Sequence, residues 1–146
     1  MNTNERTPPP FAQQRLICLA MLLGMVSYAT VVAVMLMQNG FQGMATEYID
    51  WLDIAVPSVG LCCAVLAWVT KRSLSAAAAA LFGTARGNAM FRANFIPIVI
   101  AEGGCLFGLT AWLLNANAIP HLVTALVLLS ISIWLMPMRD PDAHVQ

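Results

Sequence analysis

Charge is what this chain has least of. Only 10% of its 146 residues are Asp, Glu, Lys or Arg, against 60% hydrophobic, and the net charge is zero. A basic patch for nucleic acid is therefore excluded as a theme. A soluble domain of this size could not hide so much apolar surface. Histidine is scarce too: His121 stands at the start of the last apolar run and His144 in the tail. That is too few for bis-histidine haem ligation inside a membrane. There is no Gly-rich phosphate loop, no nucleophile elbow, no HExxH and no pair of close carboxylates, so no reaction class is indicated. No cofactor or metal is expected. Cys18, Cys62, Cys63 and Cys105 all lie in apolar runs, where a disulfide framework would not be placed, and they read as small apolar fillers.

Four long apolar stretches are present, at residues 16–37, 54–70, 95–114 and 119–135. Each is about the ~20 residues a helix needs to cross a bilayer. The first is longer than the ~7–15 residue core of a secretory signal and is expected to be retained as a helix. The seven cations fall on one side of this map. Arg6 and Arg15 precede the first run, Lys71, Arg72, Arg86 and Arg92 separate the second from the third, and Arg139 follows the fourth. The connections at 38–53 and 115–118 have neither Lys nor Arg. Basic loops stay in the cytoplasm. The pattern predicts an all-α, polytopic transmembrane four-helix bundle with both termini inside, in a bacterial inner (plasma) membrane.

Aromatic residues agree with that map. Trp51 and Trp112 fall at the outer interface with Tyr48, and Trp68 and Trp134 at the inner one, as amphipathic rings at headgroup level should. Pro57 is expected in the first turn of helix 2, Pro120 in the first turn of helix 4, and Pro137 just past its end. The segment 73–82, with Ala76 to Ala80 unbroken, is a strong helix former and extends helix 2 to about residue 82. Residues 83–88 then make a turn, and helix 3 restarts near Ala89. The domain plan is a tail at 1–15, the helical domain at 16–136 and a tail at 137–146.

Helix 3 carries two features. Ala101, Gly104, Gly108, Ala111 and Asn115 recur at three- and four-residue steps and form a helix-packing stripe, because small residues let another backbone approach. Glu102 is the one charged-type residue in any of the four runs. It lies ~10 Å along the helix from Phe95, where an ionised carboxylate costs at least ~2.5 kcal/mol. At matching depth Ser27, Tyr28 and Ser130 are the polar candidates beside it, with Tyr28 the expected donor, since a buried phenol needs a partner itself. Glu102 is either a neutral structural hydrogen-bonder or a proton or cation site. The expected partners are the lipid bilayer and other membrane subunits or a second copy of the chain. The expected role is non-enzymatic.

Residues 76–114 resemble the helix–loop–helix of rotor-ring proteolipids, the c subunits of rotary ATP synthases. The likeness rests on the Ala-rich helix end, the stretch Gly83-Thr84-Ala85-Arg86 and the run Ile100-Ala101-Glu102-Gly103-Gly104-Cys105-Leu106-Phe107-Gly108-Leu109. It implies that Glu102 binds a proton or sodium ion and that Arg86 is a loop arginine. Rotor proteolipids have a glycine-rich first hairpin helix, whereas residues 54–70 have only Gly60. The chain also resembles small four-span bacterial membrane proteins with an AxEGxxLFG-type third helix.

Overall fold

The computed structural model describes residues 11–44 and 49–137. The tails beyond them, with Arg6 and Arg139, and the segment holding Glu47 and Tyr48 lie outside. Four helices make up the described chain: α1 Phe11–Gln38, α2 Ile49–Ala79, α3 Gly83–Asn115 and α4 Ala118–Leu135. All four are long and apolar enough to cross a membrane. Leu16, Leu19, Leu23, Leu61, Leu66, Leu126 and Val127 point outward, whereas the interior includes small residues such as Cys18, Ala67, Ala101 and Ala125. Large apolar groups on the outside, and small residues among those within, suit a bundle solvated by lipid.

α3 is the hub. It packs on α1, α2 and α4, and α4 also contacts α2 and, over a shorter stretch, α1. Among the described residues the backbones of α1 and α2 do not approach each other closely, although Cys18 of α1 and Ala67 of α2 share one core layer. One core layer gathers Cys18, Ala67, Ile98, Ala101 and Leu135 from all four helices. A larger layer joins Leu22, Met25, Val32 and Leu36 of α1 to Cys105 and Leu109 of α3 and Ala125 and Leu128 of α4. A third packs Leu52 and Val56 of α2 on Ala111 of α3. The stripe of helix 3 is spent inside this core: a methyl group at Gly104 would stand 2.8 Å from Leu128 Cδ1, and one at Gly108 would stand 3.2 Å from the His121 carbonyl oxygen.

Several boundaries differ from the sequence expectation, α1 beginning at Phe11 rather than 16. α2 begins at Ile49, not 54, so Pro57 lies inside the helix rather than in its first turn. The backbone continues because an early proline removes one donor without ending a helix that is well packed downstream. α2 ends at Ala79, and α3 begins at Gly83 rather than near Ala89. The chain therefore reverses over Ala80, Leu81 and Phe82, with Phe82 extended (φ −128°, ψ 159°) and Gly83 at φ +58°. A single left-handed glycine accomplishes what residues 83–88 together were expected to do. Residues 84–88 are then free to be the first turns of α3. α4 becomes regular at Pro120, since Ile119 has extended angles (φ −109°, ψ 117°).

The ends of the bundle are unlike. At the basic end, Lys71 Nζ donates to Asn94 Oδ1 at 2.6 Å, and the Arg72 guanidinium lies 5.8 Å from the centre of the Trp68 ring. α2 and α3 run on past the Ala67–Ile98 layer by ~18 and ~22 Å at 1.5 Å per residue, so their hairpin projects beyond α4, which stops at Leu135. At the other end, the connection from α1 crosses the tip of α3: Met44 N–H donates to Leu113 O at 3.4 Å, and Gly43 lies against the backbone of Leu114 and Asn115 so closely that a Cβ would not fit.

Candidate functional sites

Glu102 follows directly from the helical period of α3. At ~100° per residue, Ala101, Gly104, Gly108 and Ala111 face inward and are buried, while Val99, Gly103 and Thr110 face outward and are exposed. Glu102 falls between the two sets and is partly buried. On its inward side stand Ile98, Cys105 and Leu109, which pack with Cys18, Leu22 and Met25 of α1. The carboxyl group is thus beside the α1–α3 seam, at the margin of the outward strip of α3. It has no hydrogen bond or ion pair with any of the described residues.

The donors expected for it are engaged elsewhere or turned away. Tyr28 Oη is 3.0 Å from Thr110 Oγ1, two turns of α3 beyond Glu102. Thr110 gives its own proton to Leu106 O at 2.8 Å, so the phenol donates to the threonine oxygen. Ser27 is exposed on α1. Ser130 is exposed on α4 and donates to Leu126 O at 2.8 Å. The bundle brings Tyr28 to the correct side of α3 but pairs it with a hydroxyl and not with the carboxyl. Arg86, which the proteolipid likeness placed in a loop, lies in the first turn of α3.

The second polar site was not anticipated. His121, expected to be a stray interfacial histidine, is completely buried. Its Nε2 lies 3.0 Å from Asp53 Oδ1 of α2, whose side chain is 32% exposed, and 2.8 Å from the side-chain amide of Asn115 at the end of α3. Asn117 Nδ2 donates to Asp53 Oδ2 at 3.2 Å. Four polar side chains therefore tie α2, α3 and α4 together at one end. Their convergence depends on the α3–α4 link: α3 ends on Ala116 in the left-handed region (φ 55°), whose N–H caps Trp112 O, and Asn117 turns its side chain to Asp53 instead of capping α4. The one available sequence signal was polarity: Asp53, Asn115, Asn117 and His121 all flank apolar runs at the same predicted depth.

Facing a carboxylate oxygen at 3.0 Å, Nε2 must carry a proton, because two acceptors at that distance repel. The Asn115 amide then turns its oxygen toward the same N–H, a rotation that leaves its shape unchanged. His121 Nδ1, on the opposite side of the ring, is buried with no hydrogen-bond partner among the described residues. Among those residues no three His, Cys, Asp or Glu side chains gather as a metal site would require.

No family model matches this chain, and no curated protein or solved structure matches it either.

Proposed function

We propose that this chain is a small, non-enzymatic integral protein of a bacterial inner membrane, acting as an accessory or assembly subunit or as a homo-oligomer. Both termini and the α2–α3 hairpin face the cytoplasm in this reading. Lys71, Arg72 and Arg92 at the basic end of the bundle support that orientation. The observation that carries the function is Glu102. A carboxyl group at membrane depth seeks a partner, and this one has no hydrogen bond or ion pair among the described residues although it borders the outward face. The small-residue stripe that often mates two helices is already filled by Leu128, Cys63 and Ala125 of the same chain. The free contact surface is the strip of α3 beside Glu102, and the group that meets it comes from another molecule.

The test is association in native-like membranes. Glu102→Leu should leave the monomer folded and lower the fraction recovered as an oligomer or complex by mild-detergent extraction and native mass spectrometry. An unchanged complex would sink the assignment. Reporter fusions at residues 39–44 and at the C-terminus should give opposite-side signals.

A second reading makes Glu102 a proton- or cation-binding group of a translocating subunit. It is favoured by the same partial exposure and by the resemblance to rotor proteolipids around residues 100–109. Glu102→Gln separates the two, since Gln keeps shape and hydrogen bonding but cannot ionise. An assembled Gln variant that has lost a proton or sodium dependence supports the second reading; an assembled variant indistinguishable from the parent supports the first.

A further inference from the structure

We propose that the basic end of the bundle holds one anionic phospholipid, its phosphate on Arg15 and one acyl chain in a groove between α1 and the end of α4. The groove follows from where the two helices stop. Cys18 of α1 and Leu135 of α4 share a core layer. α4 ends at that layer, whereas α1 runs on to Phe11, ~10 Å further at ~1.5 Å per residue. Beside this overhang Ala12, Arg15, Leu16 and Leu19 line one wall of the groove and Met136 the other. Its volume is about 290 Å³.

The groove has the polarity of a lipid. Leu16, Leu19 and Met136 make its membrane side apolar. Helical side chains lean toward the N-terminus of their helix, so the long Arg15 side chain reaches outward to headgroup level. Arg15 is exposed and has no hydrogen bond, ion pair or ring contact with any of the described residues. Its guanidinium offers parallel N–H donors that match two phosphate oxygens.

The charges around the groove call for an anion. Arg15, Lys71, Arg72, Arg86 and Arg92 all belong to this end of the bundle, and partly buried Lys71 is hydrogen-bonded to the neutral amide of Asn94. The acids of the four helices are Asp50, Asp53 and Glu102. The first two belong to the opposite end and the third to the span. A basic recess beside transmembrane helices is where anionic headgroups are held.

Other occupants fit less well. The two tails bring the acids Glu5, Asp140 and Asp142 together with Arg6 and Arg139, one net negative charge against five positive ones. Neither tail has an apolar run to cover Leu16 and Leu19. A second copy brings the same acids at the same depths, and its apolar faces would leave Arg15 unpaired. An anionic phospholipid supplies the charge and the chain in one molecule, already lying in the leaflet beside the groove. This holds for either orientation of the bundle.

Native mass spectrometry of the full chain in mild detergent tests this, with titration by phosphatidylglycerol or by phosphatidylcholine of the same acyl chains. One phosphatidylglycerol should be retained at concentrations where phosphatidylcholine is not. Arg15→Gln should weaken that adduct by roughly fivefold or more, the worth of one cation at an anionic membrane surface. Ala12→Trp keeps the cation but fills the groove, and should weaken the adduct as well. Arg72→Gln, at a guanidinium that lies over Trp68 instead, should leave it unchanged. Excess inorganic phosphate should not displace the lipid, since it lacks the chain. Equal retention of the two lipids would overturn the proposal, and so would displacement by phosphate or an equal loss in Arg72→Gln. Retention unchanged in Arg15→Gln would also overturn it, and would assign Arg15 to the carboxylates of a tail.

Discussion

Gly104 of α3 faces Cys63 of α2 with no room between them: a methyl group in place of the glycine hydrogen would stand 3.0 Å from both Cβ and Sγ of Cys63. This contact, with Leu128 Cδ1 at 2.8 Å on the other side, sets how closely the central helices approach.

Gly104→Ala should therefore destabilise the bundle by about 1–3 kcal/mol, the usual cost of overpacking. Gly103→Ala, one residue away with nothing within 4 Å of the added carbon, should be neutral or slightly stabilising, because alanine is the better helix former. Equilibrium unfolding of both variants in bicelles would measure the difference. Equal losses would mean that the tight approach is not made.

Tyr28 and Thr110 should be coupled. A double-mutant cycle with Tyr28→Phe and Thr110→Val is expected to give about 0.6 kcal/mol, typical of an interhelical hydrogen bond in a membrane. Combining Tyr28→Phe with Glu102→Gln should give additive effects, since the phenol and the carboxyl do not meet. Coupling to Glu102 rather than to Thr110 would relocate α1 around α3.

Ala116 holds a left-handed conformation (φ 55°) at the end of α3, for which glycine carries no Cβ penalty. Ala116→Gly should stabilise the protein by up to about 1 kcal/mol, read as a rise in Tm. Ala116→Val should lower it, because a β-branched residue tolerates positive φ worst.

At the basic end, Lys71 donates to Asn94 at 2.6 Å, partly buried. Asn94→Ala is expected to cost about 1–3 kcal/mol, as removal of one partner from a charge-assisted bond does. Lys71→Met should cost less than Asn94→Ala, because it removes the charge along with the bond and keeps the apolar stem. Thermal unfolding of the two variants compares them directly.

The sequence revealed which segments form the helices and missed how those helices pair. The four helices were legible because hydropathy and the placement of Lys and Arg report position along the membrane normal. The small-residue face of α3 was legible because it is a property of one helix. Tyr28 was assigned to Glu102 because both have similar depth. The phenol stands on the expected side of α3 but about two turns further along it, at Thr110, because hydropathy fixes the depth of a residue only to within a few positions. His121 and Asp53 are far apart in the chain, and only the packing of α4 on α2 brings them together. The reversal after α2 was misplaced because residues 83–88 have turn-like composition. One backbone angle at Gly83 was enough, and no composition records an angle.

The wide spacing of the α1 and α2 backbones bears on the order of assembly. α1 precedes α2 in the chain, yet its main packing surface is on α3, at residues 98–109. α2 and α3 adjoin in sequence and pack along most of their shared length. The α2–α3 hairpin is therefore expected to close first, with α1 and α4 docking on it afterwards. Supplied as a separate polypeptide, α1 should still find its place, because its main partner is not its neighbour in the chain.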